Sequence, residues 1–266
     1  MDKNTLVALA EKFTGNAPSN YVAEEDALSP DCIGMKMFEA PIFAIGAPDD
    51  KIFERFKNPG IIGSHFMAPL EWLPGAKSVI SFFVPYTKRI KNSNAADFLW
   101  PSDEWLHGRT EGFDFTKELV LHIMGLLMEA GHKSVAPYYS DDRFKTGAKE
   151  DKYTSNWSER HIAFACGLGT FGLSAGLITE KGLCGRFCSI VTELDLPKDS
   201  RGYTDAYEYC TMCYLCIPHC PSGAISETGK DKELCSAFLG KTTERYKPRY
   251  GCGKCQVAVP CEGKRP

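Results

Sequence analysis

The residues of this sequence with the clearest chemical meaning are its cysteines, which are unevenly distributed. Eight of the twelve lie between Cys210 and Cys261 in a chain of 266 residues. Residues 210–221 read CTMCYLCIPHCP, which is a C-x2-C-x2-C-x3-C-P pattern. This spacing is typical of the bacterial ferredoxin loop, in which closely spaced thiolates wrap the corners of a [4Fe–4S] cube. The pattern therefore predicts iron–sulfur chemistry and single-electron transfer.

The other cysteines of this block supply the ligands of a second cluster. In two-cluster ferredoxins the fourth cysteine of the run ligates the other cluster. The ligands predicted for the first cluster are Cys210, Cys213, Cys216 and Cys261. Those predicted for the second are Cys220, Cys235, Cys252 and Cys255. Five residues rather than three separate Cys255 from Cys261, so the spacing leaves the pairing of cysteines with clusters open.

Two other uses of these cysteines have weaker support. C-x2-C pairs also bind structural zinc, but three cysteines at successive two-residue gaps followed by C-P are specific to iron–sulfur loops. Disulfides are disfavoured because clustered cysteines in a reducing cytosol bind metal or do redox chemistry more often. Four cysteines lie outside the block and are expected to be small buried apolar residues. They are Cys32, Cys166, Cys184 and Cys188, of which the last two are spaced as a metal pair could be.

The overall composition is that of a globular protein. Hydrophobic residues make up 43% and charged residues 24% of the chain, which excludes disorder as the main state. The net charge of −3 provides no basic field for nucleic acid. Asp2 and Glu11 interrupt the N-terminal segment, which is therefore not a signal peptide. Since no apolar stretch approaches the ~20 residues that cross a bilayer, we expect a cytoplasmic protein with no membrane partner.

Ahead of the cysteine block, the hydrophobic pattern predicts mixed helices and strands. Helices are predicted over residues 3–14, 114–130 and 158–167, with Asp114 and Ser158 as capping residues. Strands are predicted over residues 42–46, 78–84, 134–139 and 188–194. The composition changes near residues 197–205, which predicts an α/β core over 1–200 and a cysteine-rich domain over 201–266.

Three glycines form a literal G-x-G-x-x-G within the segment GLGTFG. They are Gly167, Gly169 and Gly172. A dinucleotide site needs a strand before this motif and a helix after it, whereas a helix is predicted before it here. The glycines are candidate cofactor-binding residues, but the pattern does not indicate a dinucleotide.

Several segments together are similar to those of one known family. They are LPGAKSVISFFVPY (73–86), SERHIAFACGLGTFGLSAGLIT (158–179), CTMCYLCIPHCP (210–221) and CGKCQVAVPC (252–261). They resemble the epoxyqueuosine reductases and their relatives, the corrinoid-dependent reductive dehalogenases, over roughly residues 60–261. The resemblance implies an α+β fold: a nitroreductase-like α/β core with a C-terminal, bacterial-ferredoxin-like two-cluster domain.

The resemblance also implies a mechanism. In that family the core binds a base-off cobalamin, the two clusters pass single electrons to its cobalt, and an acidic side chain donates a proton. In the epoxyqueuosine reductases that acid is an Asp six residues before the Glu of an E-R pair. The pair here is Glu159–Arg160, and the position six residues earlier is Tyr153. Tyr153 is thus the candidate proton donor, with Asp151 as the alternative.

The function expected from the resemblance is an oxidoreductase that takes electrons from a flavodoxin or ferredoxin and reduces an unknown small molecule. The negative net charge argues against a tRNA substrate, because contacts with phosphates dominate such binding. The end of the chain shortly after Cys261, without the family's C-terminal extension, predicts a shorter paralogue. Two alternatives stay open: an electron-transfer or corrinoid-handling protein without its own catalysis, and a flavin (FMN) in place of the corrinoid.

Overall fold

A buried apolar strand lies inside the main sheet of the protein. The computed structural model describes residues 1–148 and 151–266. Its strands are β1 (Ile42–Gly46), β2 (Ser78–Pro85), β3 (Ser134–Val135), β4 (Gly169–Phe171), β5 (Leu177–Thr179), β6 (Gly185–Thr192), β7 (Ile225–Ser226) and β8 (Gly229–Lys230). The main sheet is antiparallel, with the order β1-β2-β6-β3. All residues of β2 are buried, as its continuous apolar sequence predicts.

Helices are found along most of the chain. They are α1 (Lys3–Asn16), α2 (Lys51–Phe56), α3 (Pro69–Trp72), α4 (Lys88–Ala95), α5 (Asp103–Arg109), α6 (Glu111–Glu129), α7 (Glu159–Cys166) and α8 (Lys232–Tyr246). Short 3-10 turns cover Pro18–Asn20, Glu24–Asp26, Pro30–Cys32, Pro137–Tyr139 and Lys254–Gln256. Within the described residues, no helix combines the length and the apolar character that crossing a membrane requires.

Alternate side chains of β2 point into two separate hydrophobic cores. Ile80 packs in the core that contains residues of α1 and α6, such as Leu119. Val79 packs in the core that contains residues of α2, α3 and α7, such as Ile162. Because successive side chains of a strand point to opposite faces of its sheet, the main sheet lies between two helical layers.

Most of the predicted elements are confirmed, and three of them differ by three or more residues at one end. The helix predicted from Asp114 begins at Glu111, because residues 111–113 continue the helical turn directly after α5. The strand predicted over 134–139 ends at Val135, because Pro137 fixes its backbone angle φ and begins a 3-10 turn. The strand predicted from Cys188 begins earlier, at Gly185, where it pairs with the last residue of β2.

The cysteine-rich segment packs closely on the core. The amide of Leu183 donates to the carbonyl oxygen of Cys261 at 3.0 Å. Gly253, in a left-handed conformation with φ +69°, lies so close to the ring of Trp105 that an added Cβ would fall 1.9 Å from it. Only glycine fits this contact, which holds the segment against α5. The division into domains at residue 200 stays a prediction.

Candidate functional site

The four cysteines predicted for the first cluster lie together around one small cavity. The residues lining it include Cys210, Cys213, Cys216, Cys261 and Gly172. Met212 (φ +49°) and Tyr214 (φ +60°) adopt left-handed conformations, one in each two-residue gap of the loop. Residues with side chains rarely adopt this conformation, and here it turns the loop tightly enough to direct its thiols at one space.

Burial makes two thiols of the first set, those of Cys216 and Cys261, reluctant to ionise. Burial, together with the charges of the other three thiols, raises the pKa of Cys261 to about 12. Burial likewise raises the pKa of Cys216 to about 11. Since thiols bind metals as thiolates, whatever binds here must supply positive charge to displace the protons. Four thiols around one cavity are the donor set of a [4Fe–4S] cluster, and they fit it.

The four cysteines predicted for the second cluster line a different and larger cavity. They are Cys220, Cys235, Cys252 and Cys255. Burial raises the pKa of Cys252 to about 12. Burial also opposes the ionisation of Cys220, but hydrogen bonds from Ser222 and from nearby backbone N–H groups outweigh it and lower the pKa of this thiol. The structure thus assembles the two predicted sets of four; that each set binds a cluster stays a prediction.

The remaining cysteines behave as buried apolar residues, as expected. Cys32, Cys166, Cys184 and Cys188 are all buried in the hydrophobic cores. The Sγ of Cys184 donates to the carbonyl oxygen of Gln256 at 2.9 Å, and burial raises the pKa of this thiol well above its usual value. In residues 1–148 and 151–266, no three histidine, cysteine, aspartate or glutamate side chains converge as a single metal ion would require.

The larger cavity lies between the second cysteine set and the α/β core. Its volume is about 470 Å³, within the size range of cofactor and substrate pockets. Its aromatic lining residues include Tyr86, Trp105, Tyr138, Tyr139, Trp157 and Phe187. Its cationic lining residues are Arg109, Arg160, Arg186 and Lys230. Among the described lining residues, Glu159 is the one carboxylic acid.

Glu159 is the first residue of α7 and is held on the cavity wall by β6. Its Oε2 accepts a hydrogen bond from the hydroxyl of Ser189 at 2.6 Å, and Ser189 accepts one from Nε1 of Trp157 at 2.9 Å. Within the described structure its Oε1 is buried and has no hydrogen-bond partner. Burial raises the pKa of Glu159 to about 8 in spite of these bonds. The carboxyl is therefore largely protonated at neutral pH and can act as a general acid.

Comparison with known proteins shows which proteins this chain is similar to. Residues 204–226 match the family described as 4Fe-4S binding domain. An epoxyqueuosine reductase of Bacillus cereus is 26% identical over 199 residues, which cover 71% of this chain and 49% of the relative. The chain is therefore similar to the epoxyqueuosine reductases and contains a segment that matches a 4Fe-4S binding domain. It spans about half the length of the curated relatives that it matches first.

Several solved structures share the fold of this chain. An epoxyqueuosine reductase crystallised with an epoxyqueuosine-modified tRNA-Tyr stem loop has a TM-score of 0.52 and 17% identity, and the match covers 97% of this chain and 66% of that one. A catabolic reductive dehalogenase has a TM-score of 0.52 and 12% identity, with 84% and 30% covered. These matches confirm the α+β fold class with its C-terminal ferredoxin-like module. Because one of these structures contains a tRNA stem loop, the expectation of no nucleic-acid partner has no support.

The structure does not place the predicted proton donors on the wall of the larger cavity. Tyr153 is 38% exposed, and its ring lies 5.0 Å from the ammonium of Lys152. The carboxylate of Asp151 pairs with Lys232 at 2.6 Å, and this bond lowers the pKa of Asp151. Their catalytic role stays a prediction, but the structure gives Glu159 the better position for donating a proton into the cavity.

The three glycines of GLGTFG have backbone roles in this chain. Gly167 ends α7 in a left-handed conformation with φ +103°. Gly169 lies so close to β5 that an added Cβ would fall 1.9 Å from the carbonyl oxygen of Ile178. Gly172 lines the cavity of the first cysteine set. None of the three lines the larger cavity, and their role in binding a cofactor stays a prediction.

Two other residues on the wall of the larger cavity are hard to predict from the sequence. Arg186, on β6, donates from Nη1 to the carbonyl oxygen of Arg109 at 3.1 Å. The Nε of Arg109 is itself buried and, among the described residues, lacks a hydrogen-bond partner. A cation inside a strand that is otherwise apolar was the one available signal for Arg186. Both guanidinium groups leave donors free for a ligand.

Proposed function

We propose that this chain is an oxidoreductase that relays single electrons through two [4Fe–4S] clusters to a corrinoid in the larger cavity. The main support for this proposal is that the second cysteine set and Glu159 line the same cavity. A source of electrons and a source of protons therefore meet in one space. When bound, the clusters would supply single electrons at low potential, and the corrinoid would supply the metal at which the substrate is reduced.

The positions of the two cysteine sets support one direction of electron flow. Cys213 of the first set is exposed, and this set lies apart from the larger cavity. Cys216 of the first set is near enough to Cys255 of the second for the charge of Cys255 to raise the pKa of Cys216. We infer that a flavodoxin or ferredoxin donates electrons at the first set, and that the second set passes them into the cavity.

The residues of the core wall have separate roles in the proposed reaction. Glu159 donates the proton from its free Oε1, while Ser189 fixes the other oxygen. Ser189 is held in turn by the indole of Trp157. Arg109 and Arg186 place positive charge beside the space that receives electrons, which would favour anionic groups on a bound ligand. The aromatic side chains exclude water and leave an apolar surface for a large planar cofactor.

The substrate can come from either of two chemical classes. A small polar or anionic molecule fits the cationic wall of the larger cavity. A modified nucleoside in tRNA is the second candidate, because a structural relative was crystallised with a tRNA stem loop. Turnover assays with both classes separate the two: consumption of a tRNA-linked substrate alone would identify the second.

The proposal is tested by cobalamin reduction under anaerobic conditions. The reconstituted chain is reduced, mixed with cobalamin, and followed by the visible spectrum of the corrinoid. We expect spectral changes that show binding and electron transfer. Cys235→Ser, in the second set, should abolish the transfer, while Cys32→Ser, in the apolar core, should retain it. If the chain with both clusters leaves the corrinoid spectrum unchanged, the chain is an electron-transfer protein without this reaction. A yellow chromophore that survives cluster removal would identify FMN instead.

A further inference from the structure

A buried lysine lies, in sequence, between two cysteines of the second set. Lys254 lies in the gap of the pair Cys252–Cys255, and only 3% of it is exposed. An ammonium group is strongly hydrated in water, so burying one without a compensating negative charge is costly. The position of Lys254 therefore requires an explanation.

The hydrogen-bond partners of Lys254 are neutral. Its Nζ donates to the carbonyl oxygen of Asn94 at 2.7 Å and to Oδ1 of the same residue at 3.2 Å. Asp97 is the acidic residue whose charge acts on the ammonium of Lys254. Asp97 is exposed, and its Oδ1 accepts hydrogen bonds from the amides of Leu99 and Trp100 instead. Within the described structure, the ammonium has no close carboxylate partner.

Lys254 is linked to Cys252 through the side chain of Asn94. Asn94, which accepts from Nζ, also donates through Nδ2 to the carbonyl oxygen of Cys252 at 3.0 Å. The three residues form one network, which ties the ammonium to the backbone of one cysteine of the second set.

The first cysteine set has no equivalent cation in its gaps. The residues between its cysteines are Thr211, Met212, Tyr214 and Leu215, all uncharged. Arg265 is near this set, where it stacks on Tyr209, but it is exposed. Water and salt screen an exposed charge, whereas a buried charge is screened much less. The electrostatic surroundings of the two sets therefore differ.

We propose that the Lys254 ammonium is the fixed counter-charge of the second cluster and raises its reduction potential above that of the first. The inference rests on the proposed function, because it takes the second set to be cluster ligands. A fixed positive charge stabilises the reduced cluster, which carries one more negative charge, more than the oxidised one. One electron then leaves the first cluster, which is oxidised, and reduces the second. No bond or proton is exchanged in this step.

The test is an anaerobic redox titration of the reconstituted full chain, followed by electron paramagnetic resonance. Cys213→Ser, in the first set, identifies the signal of the first cluster. Lys254→Met removes the charge but keeps a long side chain. We expect the reduction potential of the second cluster to fall by about 59 mV. For a one-electron couple, this shift changes the equilibrium of electrons between the two clusters about tenfold. The first cluster should not shift. Lys241→Met, the same change at an exposed site on α8, should shift neither cluster.

Asn94→Asp is a second variant that keeps the size of the side chain. It places a negative charge against Nζ and should also lower the potential of the second cluster. This variant decides the question if Lys254→Met fails to bind that cluster. The inference is overturned if the second potential does not move in a chain with full iron content, or if both potentials move equally. Wild-type protein that binds only one cluster, or none, would instead contradict the proposed function.

Discussion

The hydroxyl of Ser189 donates to Oε2 of Glu159 at 2.6 Å and leaves Oε1 of the same carboxyl buried without a partner in the described structure. One oxygen is thus fixed by β6, while the other has no hydrogen-bond partner among the described residues. Burial raises the pKa of this carboxyl to about 8. A reductive reaction consumes protons with its electrons, and Glu159 can supply them at neutral pH.

Glu159→Gln should remove the proton while retaining the shape of the side chain. We expect reductive turnover to fall about 10²–10⁴-fold, the usual contribution of a general acid. Cobalamin binding and the content of about eight irons per chain should not change. Steady-state rates and iron analysis check this, with Glu129→Gln, exposed at the end of α6, as the matched control. A larger loss in Tyr153→Phe or Asp151→Asn than in Glu159→Gln would identify that residue as the donor.

The pH dependence of turnover should report the same carboxyl. Because the protonated form is the donor, the rate should fall as the pH rises through about 8. Ser189→Ala removes a hydrogen bond to the carboxylate, so it should raise the pKa of Glu159. The falling limb of the pH–rate profile should therefore move to higher pH. Rate profiles of the wild type and the variant check the prediction. A limb that moves to lower pH, or an identical limb in Glu159→Gln, would show that another group titrates.

The two cysteine sets should be separable by single substitutions. Cys261→Ala should remove the first cluster and Cys235→Ala the second, each lowering the iron content from about eight to about four per chain. The reason is that each residue lines only one of the two cavities. Cys166→Ala, in the hydrophobic core, should keep both clusters. Loss of both clusters in either variant, or of neither, would contradict the assignment of ligands.

The ion pair between Arg249 and Glu111 should stabilise the contact between the cysteine-rich segment and α6. The pair measures 2.6 Å, with side chains only 12% and 18% exposed. Burial opposes the ionisation of Glu111, but hydrogen bonds from His107 and Arg249 outweigh it and lower the pKa of this carboxyl. Arg249→Met should therefore lower the free energy of unfolding by about 3 kcal/mol at neutral pH.

The sign of the pH effect follows from this lowered pKa. The stabilisation is present above the pKa of an unfolded glutamate and is lost as the pH falls through the folded value. The difference between the wild type and Arg249→Met should therefore shrink in acid. Denaturant unfolding across this pH range checks it, with Arg55→Met, exposed on α2, as the control. A difference that stays constant into acid would rule out the pair as its cause.

The sequence predicted best the features that depend on local spacing. The cysteine loop is one, because ligands of a cube must recur at short fixed intervals, and the buried strand Ser78–Pro85 is another. Glu159 could be identified from the sequence as part of the E-R pair but not as an acid, since its raised pKa depends on burial that only the fold creates. Tyr153 is indicated by counting back along the chain, and counting cannot show whether a loop carries its side chain into a cavity.

The most direct test of the account is the cofactor content of one anaerobically purified sample. Iron, acid-labile sulfide, cobalt and flavin are measured together per chain. We expect about eight irons and eight sulfides, one cobalt after reconstitution with cobalamin, and no flavin. Four or fewer irons per chain, or a stoichiometric flavin without cobalt, would contradict it.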